Sequence, residues 1–155
     1  MAFNPQNPTA PLDEMDIKIL QLLSQDAKMP FAELGKAVHL TAPAVHGRVK
    51  KLEKLGVIKH YSIELDHALI GLPVTAFIRV QIGKARCRDA AKKMLSFDEI
   101  VECHAVAGED DLILKTRTAT PLDLQNLLDK LKTQGLIESS ISLFVLESHF
   151  ERMRL

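Results

Sequence analysis

The chain has no tryptophan, one tyrosine (Tyr61), two cysteines and no net charge over 155 residues. Each shortage excludes something. Cys87 and Cys103 stand far apart and make no ligand or disulfide framework, so a zinc module or a disulfide-stapled secreted domain is excluded. No apolar run approaches the roughly 18 residues that a membrane span needs. The start lacks the basic and apolar segments of a secretory leader, so a cytoplasmic protein with free thiols is expected. Residues 1–11 hold Pro5, Pro8, Pro11, Asn4 and Asn7 without a charge, and read as a flexible arm. The chain as a whole is 46% hydrophobic and 26% charged, an ordinary globular balance, at a length that allows one domain or two small ones.

Zero net charge speaks against nucleic acid until the charges are placed. Between Thr41 and His60, Arg48, Lys50, Lys51, Lys54 and Lys59 face a single acid, Glu53, while acids gather at Asp13–Asp16 and Glu109–Asp111. A phosphate backbone responds to local charge.

Asp13 opens a helix carrying Ile17, Ile19, Leu20, Leu22 and Leu23, with acids at its start to suit the helix dipole. Pro30 opens a second, with Phe31, Leu34 and Val38 on one face. Thr41 caps a third, in which Pro43 is tolerated in the first turn and Val45, Val49 and Leu52 form the buried stripe. Leu55 extends that stripe and Gly56 ends the helix. Three helices with a short second turn make a helix-turn-helix over 12–60, whose third helix enters the major groove. Thr41, Ala42, Pro43, Ala44, His46, Arg48, Lys50 and Lys51 are its candidate DNA contacts. Gly47, inside that helix, costs about 1 kcal/mol relative to alanine; it marks either a close approach or a tolerated accident. Val57, Ile58, Tyr61, Ile63 and Leu65 then read as an extended strand or wing, with 61–72 as the linker.

From Pro73 the period becomes two. Val74, Ala76, Ile78, Val80 and Ile82 alternate with Thr75, Phe77, Arg79 and Gln81. A helix at Asp89–Leu95 and strands at Ile100–Ala107 and Leu112–Thr118, joined by a turn at Gly108, Glu109 and Asp110, follow. A Thr120-capped helix carries Leu124, Leu127, Leu128 and Leu131, and Ser139–Glu147 is the last strand. The order βαββαβ is ferredoxin-like, with helices on one sheet face. The chain is therefore α+β: a winged helix-turn-helix domain followed by a ferredoxin-like domain over 73–155. Phe77, Phe144 and Leu146 are assigned to the open face, too apolar for water, so a second subunit is expected there. His39 and His46 lack partners at ligand spacing. Cys103 and His104, adjacent in a strand, point to opposite faces. No metal site or cofactor is expected, and both thiols read as structural.

Across both domains the chain resembles the Lrp/AsnC, or feast/famine, regulators. The resemblance runs from about Leu12 to Glu147, on Leu12-Asp13-x-x-Asp16-x-x-Ile19-Leu20, Glu33-Leu34 and Val45-x-x-Arg48-Val49-x-x-Leu52-Glu53. Gly56-Val57-Ile58, Glu102-Cys103-His104 and Gly108-x-x-Asp111 continue it. It implies binding to double-stranded DNA, assembly to dimers and often octamers, and an amino-acid effector near the hairpin loop. Gly108 and Asp111 match the loop motif, and Ser140 and Ser142 stand where threonines are usual. Two departures are visible. Gly108-Glu109-Asp110-Asp111 replaces the usual Gly-Asp-Tyr-Asp, and His39 takes the helix-turn position that favours glycine. Histidine tolerates positive φ better than most residues. The Gly108 turn offers backbone N–H groups to a carboxylate. Glu109, Asp110, Asp111, Ser140 and Ser142 offer acceptors to an ammonium group. Three consecutive acids favour a lysine- or arginine-like ligand; the plainer alternative is a solvated hairpin tip.

Two other functions stay open on the sequence. One is a ligand-independent organiser of DNA. The other is an enzyme, since haem-biosynthetic decarboxylases share this two-domain plan, although no acid/base pair or assisted nucleophile, and hence no catalytic residue, is found.

Overall fold

The computed structural model describes residues 12–83 and 86–151; the arm expected over 1–11 lies outside them. The chain divides into two compact units between Glu64 and Leu65.

In the first unit, helix α1 spans Glu14–Gln25, α2 Phe31–Val38 and α3 Ala42–Lys54. Asp13 and Asp16 form a reciprocal capping box at α1: the Asp16 backbone N–H donates to Asp13 at 2.8 Å and that of Asp13 to Asp16 at 3.4 Å. The turn after α2 is made by His39 in the left-handed region (φ 57°, ψ 40°), so the non-glycine turn expected there forms. The chain then passes so close to α2 that a Cβ at Gly35 would stand 2.5 Å from the Leu40 carbonyl oxygen. Thr41 caps α3 by accepting from the Ala44 N–H at 3.4 Å, with Pro43 in the first turn. Ile19, Leu23, Leu34, Val38, Val45 and Val49 form the core, and Leu52 is also buried.

Three sequence expectations fail here. Phe31 and Leu55 are exposed rather than part of the buried stripes. Residues 57–66 form no ladder among the described residues: the expected strand or wing has no partner strand there. Backbone hydrogen bonds in a strand need a neighbour, and hydropathy alone does not supply one.

In the second unit, strand β1 spans Val74–Gln81, β2 Ile100–Ala105, β3 Leu112–Thr118 and β4 Ser139–Phe144, with α4 at Cys87–Met94 and α5 at Pro121–Thr133. The sheet order is β2-β3-β1-β4 and every neighbouring pair is antiparallel, the ferredoxin-like arrangement. Ala76, Ile78, Val80, Leu112 and Leu114 face Ala90 and Met94 of α4 and Leu124, Leu127, Leu128 and Leu131 of α5. α4 begins two residues earlier than expected, and β2 and β4 stop short, at Ala105 and Phe144.

Register corrects the expected open face. Phe77 pairs with Leu143 and Lys115, and Arg79 with Ile141 and Ile113, so these residues share the side away from the helices. Phe144 pairs with Ala76 and therefore lies on the helix side. Leu146 lies beyond the ladder and is 98% exposed. The open face is still apolar at its centre: Phe77, Ile141 and Leu143 are all exposed. No helix among the described residues is long and apolar enough to cross a membrane.

Candidate nucleic-acid interface and effector loop

The cations of α3 divide into two groups. Arg48 Nη1 donates to Asp13 Oδ2 at 2.6 Å and to Asp16 Oδ1 at 2.7 Å, and Lys51 Nζ lies 3.3 Å from Asp16 Oδ2. The Asp16 side chain is 0% exposed and that of Arg48 30%. Burial pushes the Asp16 carboxyl up, but hydrogen bonds from Arg48 and Lys51 outweigh it, and Asp16 titrates below the ordinary aspartate value. Asp13 is lowered as well, first by the Asp16 backbone N–H and then by Arg48. The start of α1 is thus tied to the middle of α3 by ion pairs, one carboxylate of which is removed from water.

This arrangement changes the reading of Arg48. Among the candidate DNA contacts it is the one held by two carboxylates, Asp13 and Asp16. Lys51 shares the same acid, with its side chain half exposed. Lys50 makes only an exposed pair with Glu53 at 3.3 Å, and its side chain is 65% exposed. Such a pair is worth little and yields readily to a phosphate. Among the described residues Lys54 and Lys59 have no carboxylate partner, and neither was among the DNA contacts expected from the sequence. Their proximity to a groove helix was a readable signal, but helix periodicity was needed to turn Lys54 outward with Lys50.

Thr41, Ala42, Pro43 and Ala44 form the start of α3, and all but the half-buried Ala42 are exposed. His46 is exposed and its ring packs against that of Phe31 of α2 in a tilted arrangement, with centroids 5.3 Å apart. Tyr61 folds back toward α3 and donates its hydroxyl to Glu53 Oε1 at 3.0 Å. That hydrogen bond, followed by one from Lys50, holds Glu53 below its ordinary value. Desolvation, then Glu53, pushes the Tyr61 phenol up.

In the second unit the hairpin loop between β2 and β3 carries its own network. Asp111 accepts from the Ile82 N–H through Oδ2 at 2.9 Å, and its own N–H donates to the Val80 carbonyl at 2.9 Å. Asp111 therefore pins the loop to the end of β1. Asp110 accepts from Arg79 Nε at 2.6 Å, and Glu109, whose side chain is 92% exposed, lies 3.6 Å from Arg79 Nη2. Gln81 Nε2 donates to the Glu109 carbonyl at 3.2 Å, and Ser139 Oγ donates to Gln81 Oε1 at 2.8 Å. Gly108 has φ 157° and open space where a Cβ would project.

This network divides the candidate effector residues. Of the three acids, Asp110 and Glu109 face Arg79 from the adjacent strand, whereas Asp111 is taken up by the Ile82 N–H. Ser140 and Ser142 pair with Val80 and Ile78 and so lie on the helix side; Ser139, in register with Gln81, is the serine that joins the loop. Arg79, Gln81 and Ser139 were missed because a ladder register cannot be read from alternation alone.

Cys103 packs against the helix-side core while His104 hydrogen-bonds Glu102 at 3.1 Å on the other face, as the alternation required. Burial, then Cys87, pushes the Cys103 thiol up, which suits an unreactive thiol. Among the described residues no cluster of histidine, cysteine or carboxylate side chains is arranged to hold a metal ion.

Comparison with known proteins agrees with both halves. Residues 12–53 match the AsnC-type helix-turn-helix domain and residues 75–155 the Lrp/AsnC ligand binding domain. The HTH-type transcriptional regulator FL11 of Pyrococcus horikoshii is 33% identical over 94% of this chain and 96% of its own length. LrpB of Bacillus subtilis is 33% identical over 90% of this chain and 93% of its own. A transcriptional regulator of Neisseria meningitidis, solved in complex with L-Met, superposes with a TM-score of 0.86 at 31% identity, covering 93% of this chain and 96% of that one. AsnC of E. coli gives 0.84 at 28% identity, covering 94% and 99%. With both domains matched in order and nearly the whole length covered, the chain belongs to the Lrp/AsnC family: it is a transcriptional regulator built from a DNA-binding helix-turn-helix and a ligand-binding domain.

Proposed function

We propose that the chain regulates transcription in the cytoplasm by sequence-specific binding of α3 to the major groove. We propose further that a small zwitterion, an amino acid with an uncharged side chain, tunes it at the 106–111 loop. The sorting of cations on α3 carries the DNA reading. Arg48 and half-exposed Lys51 answer to Asp16, whereas Lys50 and Lys54 are turned to solvent beside Thr41, Ala42, Pro43, Ala44 and His46. In a salt titration of DNA affinity, Lys54→Ala lowers the slope of log K against log salt by about 0.9, the signature of one lost phosphate contact. Arg48→Ala leaves that slope in place and acts through stability instead. An unchanged slope in Lys54→Ala and Lys50→Ala together removes the outer face of α3 from the interface.

For the effector, the support is the Arg79–Asp110 pair. Its two charges are those an amino acid presents in reverse: a guanidinium for the carboxylate and a carboxylate for the ammonium group. The Neisseria relative solved with L-Met supports the same class. In a thermal-shift panel of the standard amino acids, a ligand at about 100 times its dissociation constant adds roughly 2.7 kcal/mol. A selective shift abolished by Arg79→Ala supports the site; no shift with any amino acid removes it. The apolar open face of Phe77, Ile141 and Leu143 is proposed as the dimer contact, with octamers built from such dimers. Phe77→Asp yields monomers by light scattering if that is so. Footprinting separates this regulator from a ligand-independent organiser of DNA: discrete half-sites one helical turn apart support the former, uniform protection the latter.

A further inference from the structure

Glycine inside a helix destabilises it relative to alanine and calls for a reason. The chain has seven glycines, and six show theirs within the fold: five have positive φ, and Gly35 has the Leu40 carbonyl against it. Gly47 has neither. It lies in the middle of α3 without a positive φ, is exposed, and a Cβ there would meet nothing within 4 Å. Within this chain, alanine would fit and would strengthen the helix.

The surroundings give the reason a direction. Pro43, Gly47, Lys50 and Lys54 fall at i, i+4, i+7 and i+11, one face of the helix, and this is the face on which the outward cations stand. Long cationic side chains reach phosphates some distance from the helix axis, whereas a bare backbone between them permits contact at the axis itself.

We infer that Gly47 is the point of closest approach between α3 and DNA, where the absence of a β-carbon lets the helix backbone lie against a base edge or deoxyribose. This rests on the reading of α3 as the groove helix. Gly47 then sets the depth at which the helix seats, and with it the reach of Pro43 and His46 to the bases.

The test is Gly47→Ala, measured on a duplex enriched by in vitro selection against the parent protein. The melting temperature of the free variant rises by about 4 °C, while its affinity for the selected duplex falls about tenfold. The salt slope stays that of the parent, because no phosphate contact is lost. Lys54→Ala in the same assay keeps the two readings apart: if it changes neither affinity nor slope, the groove reading of α3 fails, and the present inference with it. If Lys54→Ala behaves as expected but Gly47→Ala binds like the parent, only the inference about Gly47 is overturned. A lower melting temperature in Gly47→Ala also overturns it, since the glycine would then have a reason inside the fold.

Discussion

The two units each hold a cation with carboxylates, but they do so in opposite settings. In the first, Asp16 is removed from water and its partners are Arg48 and Lys51 of a helix 32 and 35 residues away. In the second, Asp110 and Glu109 hold Arg79 at the rim of a sheet, where Glu109 is nearly all in water. A carboxylate removed from water that loses its cations is left with its desolvation cost unmatched, so the first arrangement fixes structure. The second is screened, exchangeable and easily re-partnered. The same types of residue therefore make a strut in one place and a replaceable contact in the other.

The largest effect that bears on this contrast is expected from Asp16→Ala. It leaves Arg48 and Lys51 without their shared acid and removes half of the α1 capping box, at a cost of about 2–3 kcal/mol by urea unfolding followed through helical circular dichroism. A loss within experimental scatter would make the Asp16 cluster no stronger than the loop pair and end the comparison.

A pH series comes next. Asp13 and Asp16 both have folded-state values below the ordinary aspartate value. Their contribution is therefore fully present above about pH 3.9 and is lost as pH falls through the lowered folded values. Melting of the first unit should stay level from neutral pH down to that point and drop beneath it; in Asp16→Asn the drop becomes shallower. A decline that begins nearer neutrality would implicate other groups.

The smallest effect is expected from Arg79→Ala. The unfolding midpoint stays where it is, while amide exchange quickens at Asp111 and along the 106–111 loop, which loses one of its ties to β1. A midpoint shift as large as that of Asp16→Ala would mean that the loop pair too is a strut.

Much of the fold was legible because punctuation in the sequence acts locally. Asp13, Thr41 and Thr120 cap helices where they were expected to, and Pro30 and Gly56 mark a start and a stop. His39 turns the chain in the left-handed region because that choice concerns one residue and its two neighbours. The βαββαβ order followed from period alone. What escaped was non-local. Nothing near Arg48 in sequence announces that its partner lies on α1. The face of Phe144 and the choice between Ser139 and Ser140 depend on register, and a slip of one residue reverses both. The 57–66 segment has strand composition but no neighbour among the described residues to complete a ladder. The site suffered most, since a site is where distant segments meet.

The hydrogen bond from Tyr61 to Glu53 has a consequence of another kind. With no tryptophan present, this phenol is the chain's only intrinsic fluorophore of appreciable yield. It sits where the segment leaving α3 folds back on that helix, and a carboxylate accepting a hydrogen bond from it quenches its emission. Any event that draws Lys50 away from Glu53, or lifts the segment away, will brighten or dim the molecule. The protein therefore carries its own optical gauge at the edge of the DNA-binding helix, readable without a label.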